Sequence, residues 1–323
     1  MNKLKEKDKL LVLIGPTAVG KTKLSIELAK RFNGEIISGD SMQIYRGMDI
    51  GTAKIKQEEM DGVPHHLIDI KNPDEPFSVA EFQQLVREKI AEITSRNKLP
   101  MIVGGTGLYI QSVIYDYQFS DAPSDDSFRR VLEEKAKIDG NEKLHQELME
   151  VDPESASKIH PNNIRRVIRA LEVIHCTGKT VSDYQERQVP DLLYQTVIIG
   201  LTMEREILYG RINQRVDLMV QEGLLPEVEN LFHQGVKDCQ SIQAIGYKEI
   251  YQYLNHRSSL EDAIEQLKQN SRRYAKRQLT WFRNKMNVDW FEMTATINSA
   301  NVEKKLNEIS THIEGKLQIK SNT

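Results

Sequence analysis

Apolar and polar positions follow two different periods along the first hundred residues. Leu10 to Ile14 is an unbroken apolar run that ends in glycine, the pattern of a strand buried on both faces. Leu24, Leu28, Ala29 and Phe32 then recur at helical spacing, and Asn33-Gly34 stops that helix. Glu35 to Ser38 reads as a second strand, which completes a strand–helix–strand unit. Ser78-Val79-Ala80-Glu81 has the form of a capping box and opens a helix with Phe82, Leu85, Val86, Ile90 and Ile93 on one face. Leu99 to Val103 is a third strand and runs into Gly104-Gly105. Strands separated by helices predict an α/β fold, a parallel sheet covered by helices on both faces.

The period changes near residue 116. From Ser127 to Tyr184 the pattern is helical throughout, with Ile164, Val167, Ile168, Leu171 and Ile174 in one stripe. Tyr194 to Leu201 returns to a strand pattern. This predicts an all-helical domain, residues 118–190, inserted between a first core part, 1–117, and a second, mostly helical part, 191–312. Residues 313–323 are polar and are expected to fray.

Composition narrows the class. Lys and Arg number 44 against 47 Asp and Glu, so the formal charge is −3 and a basic coat over the whole molecule is excluded, though a local basic face is not. With 39% hydrophobic and 28% charged residues, the 323-residue chain suits a folded globular protein. Two cysteines, Cys176 and Cys239, exclude a disulfide framework or a Cys-rich zinc module and are expected to be inert buried thiols. The charged N-terminus and short apolar run fit neither a signal peptide nor a membrane span, so the cytosol is the expected compartment. Adjacent His65 and His66 lack metal-ligand spacing and are expected to be structural.

Chemistry enters at the first turn. Gly15-Pro16-Thr17-Ala18-Val19-Gly20-Lys21-Thr22 matches G-x-x-x-x-G-K-[ST], the loop of ATP-binding and other nucleotide-binding proteins. Glycines let backbone N–H groups turn toward an anion, and the helix that follows adds its positive end. Lys21 supplies a cation, and the Thr22 hydroxyl can ligate Mg²⁺. No strand ends in an apolar-then-Asp pattern, which weighs against a motor or switch NTPase and leaves kinases and other group transferases. Asp40 follows the second strand and should face this loop across the sheet's carboxyl edge. It can hold Mg²⁺ through water, accept a proton from a nucleophile, or merely cap the next turn.

Two clusters suit a polyanion. Arg165, Arg166 and Arg169 share one face of the insert. Lys268 to Lys285 carries seven cations and no acid in eighteen residues, Arg273 and Arg277 among them, with Tyr274, Trp281 and Phe282 interleaved. A one-sign tract in an acidic protein favours RNA over an ordinary solvated face. Trp281 and Phe282 themselves read as core.

GPTAVGKT, GDSMQIYRGMDIGTAK, GVPHHLIDI, GGTGLYIQ, RRVIRALEV, QAIGYKE and KRQLTWFRN occur in this order. Together they closely resemble the bacterial tRNA dimethylallyltransferase family, from about Leu10 to Asn284. The resemblance implies a P-loop NTPase-like core with an inserted helical domain. It implies transfer of a dimethylallyl group from dimethylallyl diphosphate to N6 of the adenosine 3′ of the anticodon, with Mg²⁺ assisting. Asp40 matches the family's base position, and Asp40, Ser41, Met42 and Gln43 should meet the target nucleotide. The phosphate loop, Lys21 and the Thr17 hydroxyl would oppose charge on the leaving diphosphate, with Arg215, ahead of Arg211, as a clamp. Thr106, the Gln243 to Lys248 segment with Gly246, and Arg129 correspond to family RNA contacts. The partners implied are the tRNA anticodon stem-loop and dimethylallyl diphosphate; no membrane or obligate protein partner is implied, and a monomer is expected. A metabolite kinase has no need of the basic tract, an adenylate prenyltransferase no need of the insert arginines, and a non-catalytic RNA-binding module leaves the phosphate loop unexplained.

Overall fold

The structure is a computed structural model and describes residues 7–115, 117, 125–185, 191–294 and 299–322. Its elements run β1 (Lys9–Ile14), α1 (Lys21–Arg31), β2 (Gly34–Gly39), β3 (His65–His66), α2 (Val79–Ser95), β4 (Leu99–Gly104) and α3 (Gly107–Ile114). Helices α4 (Asp126–Asp139), α5 (Asn141–Val151), α6 (Pro153–Lys158), α7 (Ile164–Thr177) and α8 (Val181–Gln185) follow. The chain then continues through β5 (Gln195–Thr202), α9 (Arg205–Glu222), α10 (Leu224–His233), α11 (Tyr247–Leu254), α12 (Leu260–Lys285), β6 (Asp289–Glu292) and α13 (Ser299–Leu317).

It divides into two compact units, 1–114 with 192–323, and 115–191. The expected boundaries at 118 and 190 lie outside the described residues. In the larger unit six strands form one sheet in the order β3-β2-β4-β1-β5-β6, with every pairing parallel. Leu10 to Ile14 are all fully buried in β1, as an apolar run in a central strand requires. The Ser78 side chain accepts the Glu81 N–H and caps α2, whose Phe82, Val86, Ile90 and Ile93 turn inward.

Two strands escape the apolar pattern. β3 is only His65–His66, where His66 Nε2 meets the buried Glu35 carboxylate at 2.7 Å and His65 Nδ1 meets the Val63 carbonyl at 2.9 Å. β6 is four residues long, and three residues separate it from the end of α12. The histidine contacts fit the structural role expected of His66, while His65 also borders the smaller cavity described below. Cys176 and Cys239 are free but half-buried rather than buried.

The C-terminal expectation is corrected. Residues 313–322 do not fray: α13 continues to Leu317, and Leu306, Ile309, Ile313 and Leu317 lie in the core with β1, β5 and α1. The Asn322 N–H also donates to the Arg31 carbonyl at 2.6 Å. The polar positions that suggested fraying are the solvent side of an amphipathic helix. Deleting 313–323 should therefore destabilise the protein by roughly 4 kcal/mol, since two fully buried aliphatic side chains are lost. Thermal unfolding checks this, and an unchanged midpoint would restore the frayed tail.

The unit 115–191 is helical. Its core is Leu132, Ala136, Leu144, Leu148, Val167, Ile168 and Ala170. Asp152 joins two of its helices, accepting from the Ser155 N–H at 3.0 Å and the Val181 N–H at 3.1 Å.

Candidate active site

The site forms where β1, β2 and β4 end. Beyond Ile14 the chain curls through Ala18 at φ 64° and Gly20 at φ 104°, a left-handed geometry that glycine tolerates at least cost. The curl delivers Lys21 and Thr22 at the first turn of α1. Lys21 Nζ donates to the Gly15 and Pro16 carbonyls at 2.9 and 2.8 Å, and Val19 anchors the loop in the core.

Asp40 follows β2 directly. Its Oδ1 accepts the Met42 N–H at 2.8 Å, so the capping role is real, and the group also faces the cavity. Thr106 follows β4; its N–H donates to the Gly39 carbonyl and its hydroxyl accepts the Ser41 N–H, both at 3.2 Å. On α9, Arg215 Nη1 donates to Thr17 Oγ1 at 3.3 Å, whereas Arg211 lines neither cavity at the site.

Two adjoining cavities, of about 310 and 120 Å³, occupy this cleft. Both are lined by Thr17, Asp40, Thr52, Ala53, Arg215 and Tyr274. Lys21 and Thr22 border the smaller one. Ser41, Met42, Gln243, Lys248 and Arg277 border the larger one, together with the apolar Ile212, Val216, Met219 and Leu267. Gln43 lines the smaller cavity and buttresses the wall, donating from Nε2 to the Thr52 and Ala53 carbonyls at 3.3 and 3.4 Å. Gly246 stands at φ 103° in the wall behind Gly51.

Burial dominates the electrostatics. It lowers the Lys21 ammonium from 10.5 to about 7, aided by Arg215 and opposed by Asp40. It also lowers Arg215, again against Asp40. Asp40 is raised by burial, against the Met42 N–H, Lys21, the Gln43 N–H and Arg215. Lys21 and Arg215 thus share the cleft with one carboxylate beside the phosphate loop, which leaves it suited to an anionic ligand.

Tyr274 and Gln278 were not singled out as site residues by sequence reasoning. Gln278 on α12 accepts the Thr17 N–H at 3.1 Å and donates to the Gly105 carbonyl at 3.0 Å, tying the phosphate loop to the β4 turn. Tyr274, one turn earlier, hydrogen-bonds Thr106 and Gln278, and burial together with the charge of Asp40 pushes its hydroxyl up to about 12. Their i, i+4 spacing inside a cationic run was the only available signal.

The basic tract is one continuous helix, α12, but not one free basic face. Lys268 pairs with Asp217 at 2.6 Å, and Arg272 bonds Asn213 at 2.6 Å. Arg273 and Arg277 are exposed, and Phe282 is core. In the unit 115–191, Arg165 and Arg166 are exposed. Arg169 departs from the expected open face: it binds the buried Glu172 at 2.6 Å, as does Arg129, the separate RNA-contact candidate, at 2.8 Å. Burying that acid without partners would be costly, so the two arginines are held to it.

The cleft and sheet define a class of protein: a parallel α/β core with a phosphate-type anion loop set beside a carboxylate, a group-transfer arrangement. The chain belongs to the IPP transferase family, whose model matches residues 43–285. It is 63% identical over 315 residues to a tRNA dimethylallyltransferase of Geobacillus thermodenitrificans, covering 98% of this chain and 99% of that one. A tRNA dimethylallyltransferase of Bacillus cereus is 64% identical over 317 residues, with 98% of each chain covered. The fold is similar to the tRNA isopentenylpyrophosphate transferase of Bacillus halodurans, with a TM-score of 0.72, 56% identity and coverage of 97% of this chain and 99% of that one. It is also similar to a eukaryotic dimethylallyltransferase solved acting on tRNA, with a TM-score of 0.81, 31% identity and coverage of 98% and 81%.

Proposed function

We propose that this chain is a tRNA dimethylallyltransferase. It moves the dimethylallyl group of dimethylallyl diphosphate to N6 of adenosine 37, immediately 3′ of the anticodon, and releases diphosphate. The observation that carries this reading beyond family membership is the cleft itself. A carboxylate, Asp40, and an anion site, Lys21 with Arg215, line the same smaller cavity, and Asp40 and Arg215 also line the larger one that adjoins it.

The chemistry follows from those positions. The N6 lone pair is delocalised into the purine and is a poor nucleophile. As N6 bonds to the donor's C1, the C1–oxygen bond breaks, and the N6 proton passes to Asp40. Negative charge then collects on the departing diphosphate. The loop from Gly15 to Thr22, Lys21, Arg215 and the Thr17 hydroxyl oppose that charge. The Thr22 hydroxyl is a hard oxygen donor on the smaller cavity, and the Asp40 carboxylate on the same cavity would reach a metal through water. Such a sparse set fits Mg²⁺, which keeps several waters and takes further oxygens from a bound diphosphate. The metal supplies charge neutralisation to the leaving group when bound.

The base must leave its stack to reach the cleft. Ser41, Met42, Gln43, Thr106, Gln243, Gly246 and Lys248 would surround it. Arg273 and Arg277 would take the RNA backbone on the larger unit; Arg165 and Arg166, exposed on the unit 115–191, are separate candidates for RNA contact. Arg129 and Arg169, held to Glu172, would contribute less. We expect a monomer, and tRNA as substrate supports a cytoplasmic location. Among the described residues no helix is long and apolar enough to cross a membrane.

One incubation tests the reaction. Protein, Mg²⁺, dimethylallyl diphosphate and unmodified tRNA are mixed, and the digested nucleosides are weighed. An adenosine heavier by one C5H8 unit is expected, dependent on the anticodon loop. No adduct, with ATP consumed against a metabolite instead, would overturn the reading. Replacing Arg273 and Arg277 with Gln should weaken tRNA binding and flatten its log–log salt slope by about 1–2. An unchanged slope would return this helix to ordinary surface.

A further inference from the structure

Glu227 lies on α10, away from every motif named above. Its carboxylate collects four neutral donors: Oε2 accepts the Asp49 and Ile50 N–H groups at 2.9 and 2.8 Å, and Oε1 accepts the Gly51 N–H at 3.0 Å and the Tyr247 hydroxyl at 2.6 Å. Successive N–H groups converging on one anion form a nest, a geometry that a backbone turn adopts around negative charge. Here the anion is internal.

The turn that Glu227 fills is a wall of the cleft. Gly51, Thr52 and Ala53 line the larger cavity, and Thr52 and Ala53 line the smaller one beside Asp40. Two further contacts depend on the same placement. Tyr247 packs so closely on Gly51 that a Cβ there would lie 2.5 Å from the ring. Gln43, which accepts from the Ser38 hydroxyl at 3.1 Å, reaches the Thr52 and Ala53 carbonyls from the other side. The wall is thus clamped between β2 and α10–α11, and the Glu227 carboxylate satisfies the three N–H groups that face α10.

We propose that Glu227 is a positioning residue for the transfer: it holds the 49–53 turn as the wall against which the donor carbon and adenine N6 are aligned. This rests on the function proposed above. A carboxylate offers acceptors on both oxygens. In Glu227→Gln, an NH2 group faces two of the four donors whichever way the amide is turned. Misalignment at a reacting centre lowers turnover far more than it lowers binding.

The test uses the full chain with dimethylallyl diphosphate, Mg²⁺ and unmodified tRNA. It measures kcat and the tRNA KM well below the unfolding midpoint, and amide hydrogen exchange across residues 49–51. For Glu227→Gln we expect kcat to fall at least ~30-fold, the tRNA KM to stay within about threefold, and exchange to quicken at 49–51 alone. A Glu227→Gln enzyme with kcat within about threefold of wild type overturns the proposal, as does unchanged exchange at 49–51 or faster exchange spread through the whole chain. If Glu227→Gln does not fold, Glu227→Asp keeps the charge and carries the same criteria. An inactive wild type overturns the proposed function; an active wild type beside an unimpaired variant overturns the positioning role alone.

Discussion

Asp40→Asn is expected to stop prenyl transfer while leaving tRNA bound. The substitution keeps the shape of the side chain and an oxygen for the Met42 N–H, so the turn after β2 should hold. What it removes is a site for the proton that N6 must shed as the new carbon–nitrogen bond forms. A positioned base contributes about 10²–10⁴-fold, and the single-turnover rate should fall by that factor. The tRNA Kd should change by less than about threefold, because a group that acts in the transition state adds little to ground-state binding. The pH profile gives a second check with a defined sign. Burial raises the Asp40 pKa against the Met42 N–H, Lys21, the Gln43 N–H and Arg215. A base works only when ionised, so the wild-type rate should decline as pH falls through that raised value. The acid limb should vanish from the residual rate of Asp40→Asn. Parallel loss of binding and rate, or an acid limb unchanged by the substitution, would remove Asp40 from the base role.

How much of this site was legible in the sequence depends on how local each part is. The phosphate loop is contiguous, and its strand and helix flank it directly, so eight adjacent residues announce both geometry and chemistry. Asp40 was legible by rule, since ligands in parallel sheets gather beyond the carboxyl ends of strands. Gln278 was not, because it meets Thr17 across 261 residues and looks like helix filler among cations. Glu227 likewise reaches Asp49 across 178 residues, and no sequence period marks an acid that caps a distant turn. The insert arginines show the opposite failure. Arg165, Arg166 and Arg169 lie on one helix, yet Glu172, three residues past Arg169, draws that arginine into an ion pair and takes Arg129 with it. Charge counting along the chain overstates a basic face wherever a buried acid lies within reach. The tail misled in the same way, because Ile313 and Leu317 are spaced among polar residues and only the sheet they cover reveals their burial.

Lys21→Met is expected to destroy diphosphate binding and yet stabilise the free protein. In the free enzyme burial, aided by Arg215, holds Lys21 near 7 instead of 10.5, while its Nζ turns back onto the Gly15 and Pro16 carbonyls. Between those two values the unfolded chain binds more protons than the folded one, so this group makes the protein more stable as pH rises from 7. At pH 7 the buried ammonium is therefore a cost, and replacing it with an apolar side chain of similar length should raise stability, on the order of 2 kcal/mol. The gap should narrow as pH rises toward 10.5. A diphosphate reverses the balance, because its charge restores the ammonium. Binding at pH 8.5, where an organic diphosphate is already fully ionised, should take up close to one proton per site. Calorimetry in two buffers of different ionisation enthalpy measures this directly. Lys21→Met should show no such uptake and should bind at least ~100-fold more weakly, since a charge-assisted contact to phosphate is lost. Proton uptake absent from the wild type, or equal in the two proteins, would mean that Lys21 is already charged in the empty cleft. Taken with Asp40, the expected result gives the cleft a physical logic. A lysine held near neutrality beside a carboxylate of raised pKa is poorly stabilised until the donor's charge arrives, and the donor then leaves Lys21 protonated against the leaving group and Asp40 ready to accept a proton.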